Sequence, residues 1–284
     1  MNSLIEIENS FKAAMLNNGI TPPDTLIGNS ALHRFYVAGD KKGTLNGAYI
    51  LHLDARPSGW ALNFKTGVSF TWTASGKREP MTAAMKRQID EARQQRQLEQ
   101  DKAHQEAADK ARWTWDKATL ITEQSQHQYL ITKCVQAYGE RFYKGALAIP
   151  LVDESGTIVN LQFINADGTK RFLKDGRKKG CYSTIGEPTA TILICEGWAT
   201  GASLHESTGH YVVVAMDAGN LKPVSGAIRS RHPNGKIILC ADNDPIGIEK
   251  ATVAAFSCNG LYIAPPNEGM DFNDFINAGG VVYG

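Results

Sequence analysis

Thr191-Ile-Leu-Ile-Cys-Glu-Gly197 and Lys236-Ile-Ile-Leu-Cys-Ala-Asp-Asn-Asp244 decide the reading of this chain. Each is a short, nearly continuous apolar run that stops at an acid. Residues 211–215 and 261–264 form two further apolar runs, and the stretches 199–207, 223–230 and 246–257 between them carry helical patterns. Buried strands alternating with helices predict a mostly parallel sheet covered on both faces. Ligands of such sheets gather beyond the carboxyl ends of the strands. Glu196 and Asp242 each follow a strand directly, so both are expected at that edge.

Working outward, residues 146–152, 158–164 and 170–173 read as a meander of strands, with Asp153-Glu-Ser-Gly156 and Asn165-Ala-Asp-Gly168 as its turns. A helix over 128–138 precedes it. Further upstream, no Gly or Pro occurs between Pro80 and Gly139, which predicts one long helix over about 81–118. Its apolar positions are mostly Ala among Lys, Arg, Glu and Gln, so it should bury little and act as a solvated connector. Before it, residues 3–18 have helical spacing, and 33–37, 48–53, 60–64 and 68–72 have the alternation and Gly punctuation of a small antiparallel sheet. The expected class is α/β: an α+β module at 1–80, a charged helical connector at 81–120, a small α+β subdomain at 121–188, and the parallel-sheet domain at 189–284.

Net charge is only +1 over 284 residues, so any grip on a polyanion must come from local clusters. The five cysteines are scattered and form no Cys-x-x-Cys pair, which excludes a zinc ribbon and a disulfide framework as expectations. A reducing, cytoplasmic setting follows, with no membrane partner, since no apolar run approaches the roughly 20 residues of a span and no leader pattern is present. P-loop, Gly-x-Ser-x-Gly and His-Glu-x-x-His motifs are absent.

Alternate carboxylates at Asp242 and Asp244 are hard oxygen donors of the kind Mg²⁺ takes. Asp244 is also followed by Pro245 and a helical run, so it equally fits a helix N-cap with Pro at the first position. Glu196-Gly197 alone is an ordinary strand end. Glu196, Asp242, Asp271 and Asp274 at one edge would repel one another unless a cation lay between them. The segment from Lys170 to Gly180 sets six cations against one acid and suits phosphate binding next to such a site. Arg229, Arg231 and Lys236 are expected to add to that field.

Glu196-Gly-Trp-Ala-Thr-Gly201, Asp217-Ala-Gly-Asn-Leu221, Ala241-Asp-Asn-Asp244 and Asp271-Phe-Asn-Asp-Phe275 occur in the order found in the Toprim domain of plasmid- and phage-type DNA primases, which this region resembles. Tyr129-Leu-Ile-Thr-Lys133, Leu147-Ala-Ile-Pro-Leu151, Asn160-Leu-Gln-Phe-Ile164 and Gly168-Thr-Lys-Arg-Phe-Leu173 are similar to the amino-terminal half of the same polymerase core. The resemblance implies Mg²⁺- or Mn²⁺-dependent synthesis of short RNA primers from nucleoside triphosphates on a single-stranded DNA template, beside a separate helicase. It implies Glu196 as catalytic acid or base, Glu196, Asp242, Asp244 and Asp271 around the metal, and Lys133, Lys170, Arg171, Lys174, Arg177, Lys178 and Lys179 against nucleotide or nucleic acid. A Toprim nuclease and a noncatalytic single-strand-binding module are the alternatives. Two departures stand out: no cysteines match the zinc module of replicative primases, so no zinc is expected, and Thr200 occupies a position where those enzymes commonly place an Asp.

Overall fold

The computed structural model describes residues 4–41, 43–53, 56–74 and 83–282, in two compact units, 1–96 and 97–284. In the first, α1 (Leu4–Asn17) buries Ile7, Phe11 and Met15. Four strands follow, β1 (His33–Phe35), β2 (Gly47–His52), β3 (Ser58–Asn63) and β4 (Ser69–Thr73), an antiparallel sheet in sequence order. Phe11 packs 5.3 Å from Trp72 and 6.3 Å from Tyr49, centroid to centroid, and so anchors the helix on one face of the sheet.

Helix α2 (Ala83–Lys117) continues into the second unit. Pro80 and Met81, expected at its start, lie outside the described residues. Its final turns bury more than the charged composition suggests. Ala107, Ala108, Ala111 and Thr114 are buried, and Ala111 joins Ala146, Ala148, Leu161 and Phe163 in a small core. Alanine lets the helix backbone approach the sheet closely, so a weakly apolar stripe still makes a packed face.

A five-stranded antiparallel sheet follows in sequence order: β5 (Thr119–Leu120), β6 (Arg141–Tyr143), β7 (Ala146–Val152), β8 (Ile158–Asn165) and β9 (Lys170–Phe172). Between β5 and β6 lies α3 (Gln128–Lys133). This helix stops five residues short of the expected end, because Cys134 turns left-handed at φ 53° and closes it.

The remaining residues form a second five-stranded sheet of order β10-β12-β11-β13-β14. Its strands are β10 (Ser183–Ile185), β11 (Thr191–Cys195), β12 (Tyr211–Val214), β13 (Lys236–Cys240) and β14 (Leu261–Ile263). All pairings are parallel except that of β10 with β12, so the sheet begins at Ser183, before the expected boundary at 189. Helices α4 (Trp198–Thr208), α5 (Leu221–Arg231), α6 (Pro245–Ser257) and α7 (Phe272–Asn277) complete it. Trp198, Ala202 and Leu204 of α4 share one core with Leu147, Ile149 and Leu151 of β7, whereas α5 and α6 cover the opposite face through Val224, Ile228, Ala251 and Ala254. Gly201 permits the close seating of α4, since a Cβ there would stand 2.7 Å from Val214 Cγ2. Among the described residues no helix is long and apolar enough to cross a membrane.

Candidate metal centre

Parallel register brings the acids together. Cys195 lies opposite Cys240 on adjacent strands, so Glu196 and Asp242 leave the same sheet edge one residue out of step. Both line a cavity of about 300 Å³ with Asp217, Asp271, Thr200, Tyr129, Lys133 and Lys170. Gly247 marks how closely they meet: a Cβ there would lie 2.6 Å from the Asp242 carbonyl oxygen and 3.3 Å from Glu196 Oε1.

Asn243, between the two acids, is a tether. Its amide nitrogen donates to Met270 O at 2.9 Å, its carbonyl accepts from Gly269 N at 2.7 Å, and its Nδ2 donates to Pro265 O at 2.9 Å. The 265–271 loop is thereby drawn back over β13, and Asp271 arrives at the cavity as the N-cap of α7, with Oδ1 accepting from Asp274 N at 2.8 Å. Thr200 donates to Asp271 Oδ2 at 3.2 Å, so the hydroxyl at this departure from the family pattern holds a carboxylate of the site. Asp244 caps α6, its Oδ1 accepting from Ile246 N at 2.9 Å and Gly247 N at 2.7 Å.

Two buried carboxylate oxygens among the described residues, Glu196 Oε1 and Asp242 Oδ1, accept no hydrogen bond. Burial, then Asp242, Asp244 and Asp217, push the Glu196 carboxyl up to about 7. Burial, then Asp271 and Asp244, push Asp242 up to about 6, against a smaller opposing pull from Lys170. Buried anionic oxygens without donors are costly alone and are what a hard divalent cation accepts. Among the described residues, however, no group of three or more His, Cys, Asp or Glu side chains is poised to hold an ion. The expected set of Glu196, Asp242, Asp244 and Asp271 is therefore not a preformed cage. Asp244 and Asp271 each have an oxygen occupied by a helix cap. Magnesium needs only one or two carboxylates when waters and substrate phosphates complete its shell, so the residues present fit it.

The basic residues divide. Lys170 and Lys133 line the acidic cavity. Lys170 Nζ sits 5.9 Å from the Tyr129 ring centroid, and surrounding protein, then Lys133, lower its ammonium from the ordinary value while Asp271 and Asp242 raise it. Arg171 projects to the other face of β9, 5.4 Å from the Phe163 ring, because successive strand residues alternate. Arg177 pairs with Asp153 at 3.4 Å, and Lys174 lies beside Asp175 at 3.9 Å. Lys178 and Lys179 line a separate cavity. Arg229, expected to add to the basic field, instead donates to the carbonyls of Cys258, Pro233, Gly235 and Asn259.

Sequence reasoning did not assign Tyr129, Asp217 or Asn273 to the site. Asn273 is fully buried on α7, where its Nδ2 donates to Lys133 O and to Ser203 Oγ, both at 2.8 Å. Asn277 Nδ2 reaches the same carbonyl at 3.2 Å, and Asp274 Oδ1 lies 3.8 Å from Lys133 Nζ. One short helix thus fixes both the main chain and the side chain of a cavity lysine. Asn273→Ala should cost about 1–3 kcal/mol, the penalty for stranding buried polar groups. Urea denaturation checks this, and an unchanged midpoint would show that Lys133 is anchored otherwise.

Comparison with known proteins bears on the same residues. Residues 191–281 match the model of the Toprim domain family. The chain is 35% identical over 257 residues to a DNA primase TraC of Escherichia coli, an alignment covering 82% of this chain and 17% of that protein. A second DNA primase TraC of Escherichia coli is 33% identical, over 84% of this chain and 23% of its own length. The chain therefore spans about a fifth of the curated relatives it matches. Among solved structures, the primase fragment of the bacteriophage T7 primase-helicase protein superposes with a TM-score of 0.45 at 18% identity, covering 59% of this chain and 74% of that one.

Proposed function

We propose, from the premise that residues 191–281 are a Toprim domain, that this chain is the catalytic part of a DNA primase and joins ribonucleotides on a single-stranded DNA template. The observation that carries the reading is one cavity in which two buried, unpartnered carboxylate oxygens, of Glu196 and Asp242, face two lysines, Lys133 and Lys170. Similarity to DNA primases over more than four-fifths of the chain supports the choice of reaction.

Glu196, Asp242, Asp244 and Asp271 are the residues that would hold Mg²⁺ or Mn²⁺, and the cation would supply Lewis-acid stabilisation of charge at the transferring phosphoryl group. Lys170 and Lys133 offer ammonium groups to the triphosphate of the incoming nucleotide. Glu196, the carboxylate at the end of β11 in this cavity, is the group proposed to take the proton of the attacking 3′ hydroxyl. Tyr129 lines the cavity with a buried, unpartnered hydroxyl, and burial followed by Asp271 raises its phenol, so it stays neutral. No P-loop occurs in these 284 residues, and a helicase is the partner this reading places alongside them.

Incubation with single-stranded DNA, Mg²⁺ and labelled ribonucleoside triphosphates tests the proposal. Short template-dependent RNA products are expected. Cleaved template without such products would replace primase by nuclease, and DNA binding with neither product would leave a noncatalytic module.

A further inference from the structure

A second cavity, of about 650 Å³, lies beside the acidic one and shares Asp217 with it. Lys178, Lys179 and Lys222 converge on it from two segments more than forty residues apart. Asn220 fastens those segments together. It is buried, and its Nδ2 donates to Lys178 O at 3.2 Å, Cys181 O at 2.9 Å and Ala215 O at 2.7 Å, while its Oδ1 accepts from Gly180 N at 2.8 Å. The loop bearing Lys178 and Lys179 is thus bolted to the start of α5, which bears Lys222. Three cations face one carboxylate, Asp217, in this cavity, so the buried polar knot holds a net positive charge there.

We infer that this cavity seats the backbone phosphates of a nucleic-acid strand that enters or leaves the acidic cavity past Asp217. The inference rests on the nucleotidyl-transfer reading of the same domain. Its volume falls in the range of sites that hold one nucleotide-sized group. The lining favours a strand over a free triphosphate. A nucleoside triphosphate usually arrives with a divalent cation that wants carboxylate oxygen. Asp217, the one carboxylate lining this cavity among the described residues, already accepts from Asn220 N at 3.0 Å and sits 3.4 Å from Lys178 Nζ. Strand phosphates carry one charge each and need no metal. Gly226 leaves the floor open, with no atom within 4 Å of where a Cβ would stand.

Anisotropy of a labelled single-stranded oligonucleotide, titrated with the whole chain in EDTA from about 20 to 200 mM salt, tests the seat. Loss of one phosphate contact to a single strand lowers the salt slope by about 0.7, which is about fivefold in affinity at 0.1 M salt. Lys222→Ala is expected to show both effects. Gly226→Phe should fill the cavity from a helix position that tolerates a side chain, and weaken binding at least as much. Unchanged slope and affinity in both variants would overturn the inference, as would wild-type protein that binds no DNA at the lowest salt. Displacement of the DNA by metal-free nucleoside triphosphate at micromolar concentration would overturn the strand assignment in favour of a free nucleotide. No chemistry is needed, so a chain that makes no primer yet shows Lys222-dependent binding would sink the primase reading alone.

Discussion

Asp242→Asn should lower primer synthesis by about a thousandfold or more while leaving the protein folded. The substitution keeps the side-chain shape but replaces one anionic oxygen with an NH₂ group, which cannot ligate a cation. Oδ1 of Asp242 is buried and has no other partner, so nothing nearby can substitute for it. Loss of a single group that stabilises developing charge costs about 10²–10³-fold in well-studied active sites, and a group that holds the cation itself should fall at or beyond the upper end. Glu196→Gln should act similarly, and the double variant should be little worse than either single one, because residues acting as a unit are not additive. Labelled-nucleotide incorporation on single-stranded DNA measures the effect. Either variant retaining activity within tenfold of wild type would remove its residue from the reaction.

Metal-free protein should become less stable as pH rises from about 5 to about 8, and added Mg²⁺ should restore the loss. Glu196 is held up at about 7 and Asp242 at about 6, both above their ordinary carboxylate values. A raised carboxyl favours the folded state in its protonated form. The stabilisation is complete below the unfolded pKa, near 4, and disappears as pH climbs through 6 and 7 in the folded protein. Both groups keep some contact with solvent, so the combined effect after screening is on the order of 1–2 kcal/mol, a few degrees in Tm for a domain of this size. A cation that binds only the folded state recovers that stability at the alkaline end. Thermal melts in EDTA and in Mg²⁺ at both pH values decide the matter: a flat profile in EDTA, or no response to Mg²⁺ at pH 8, would contradict the electrostatic account of the cavity.

The parallel strands were legible because β11, β12 and β13 are apolar on both faces, a pattern that only a doubly covered sheet explains. Strand ends placed Glu196 and Asp242 at one edge, while their roles came from the cluster of acids there and the resemblance to the Toprim domain. Strand β10 gave no signal: three residues are too few for periodicity, and its antiparallel pairing with β12 is set by tertiary contact. The early stop of α3 was hidden because Cys134 adopts a left-handed conformation that a sequence usually announces with Gly or Asn. Asp244 could be read as a cap or as a ligand, and it caps α6; Asp271, read only as a ligand, proves to cap α7. The basic run from Lys170 to Lys179 looked like one patch. Strand alternation and the ion pair from Arg177 to Asp153 scatter it over several surfaces. Asn273 carried no local signal, since its partners lie 70 and 140 positions away.

The order β10-β12-β11-β13-β14 has a consequence for synthesis on the ribosome. Strand β11 is central, yet one of its neighbours, β13, emerges about forty residues after it. Until then a nascent chain that has already zipped β11 to β12 displays a bare, largely apolar edge, the kind that recruits neighbouring polypeptides into aggregates. Slow or stalled translation before Lys236 therefore calls for chaperone protection, and truncations ending between β12 and β13 should collect in inclusion bodies while the whole chain stays in solution.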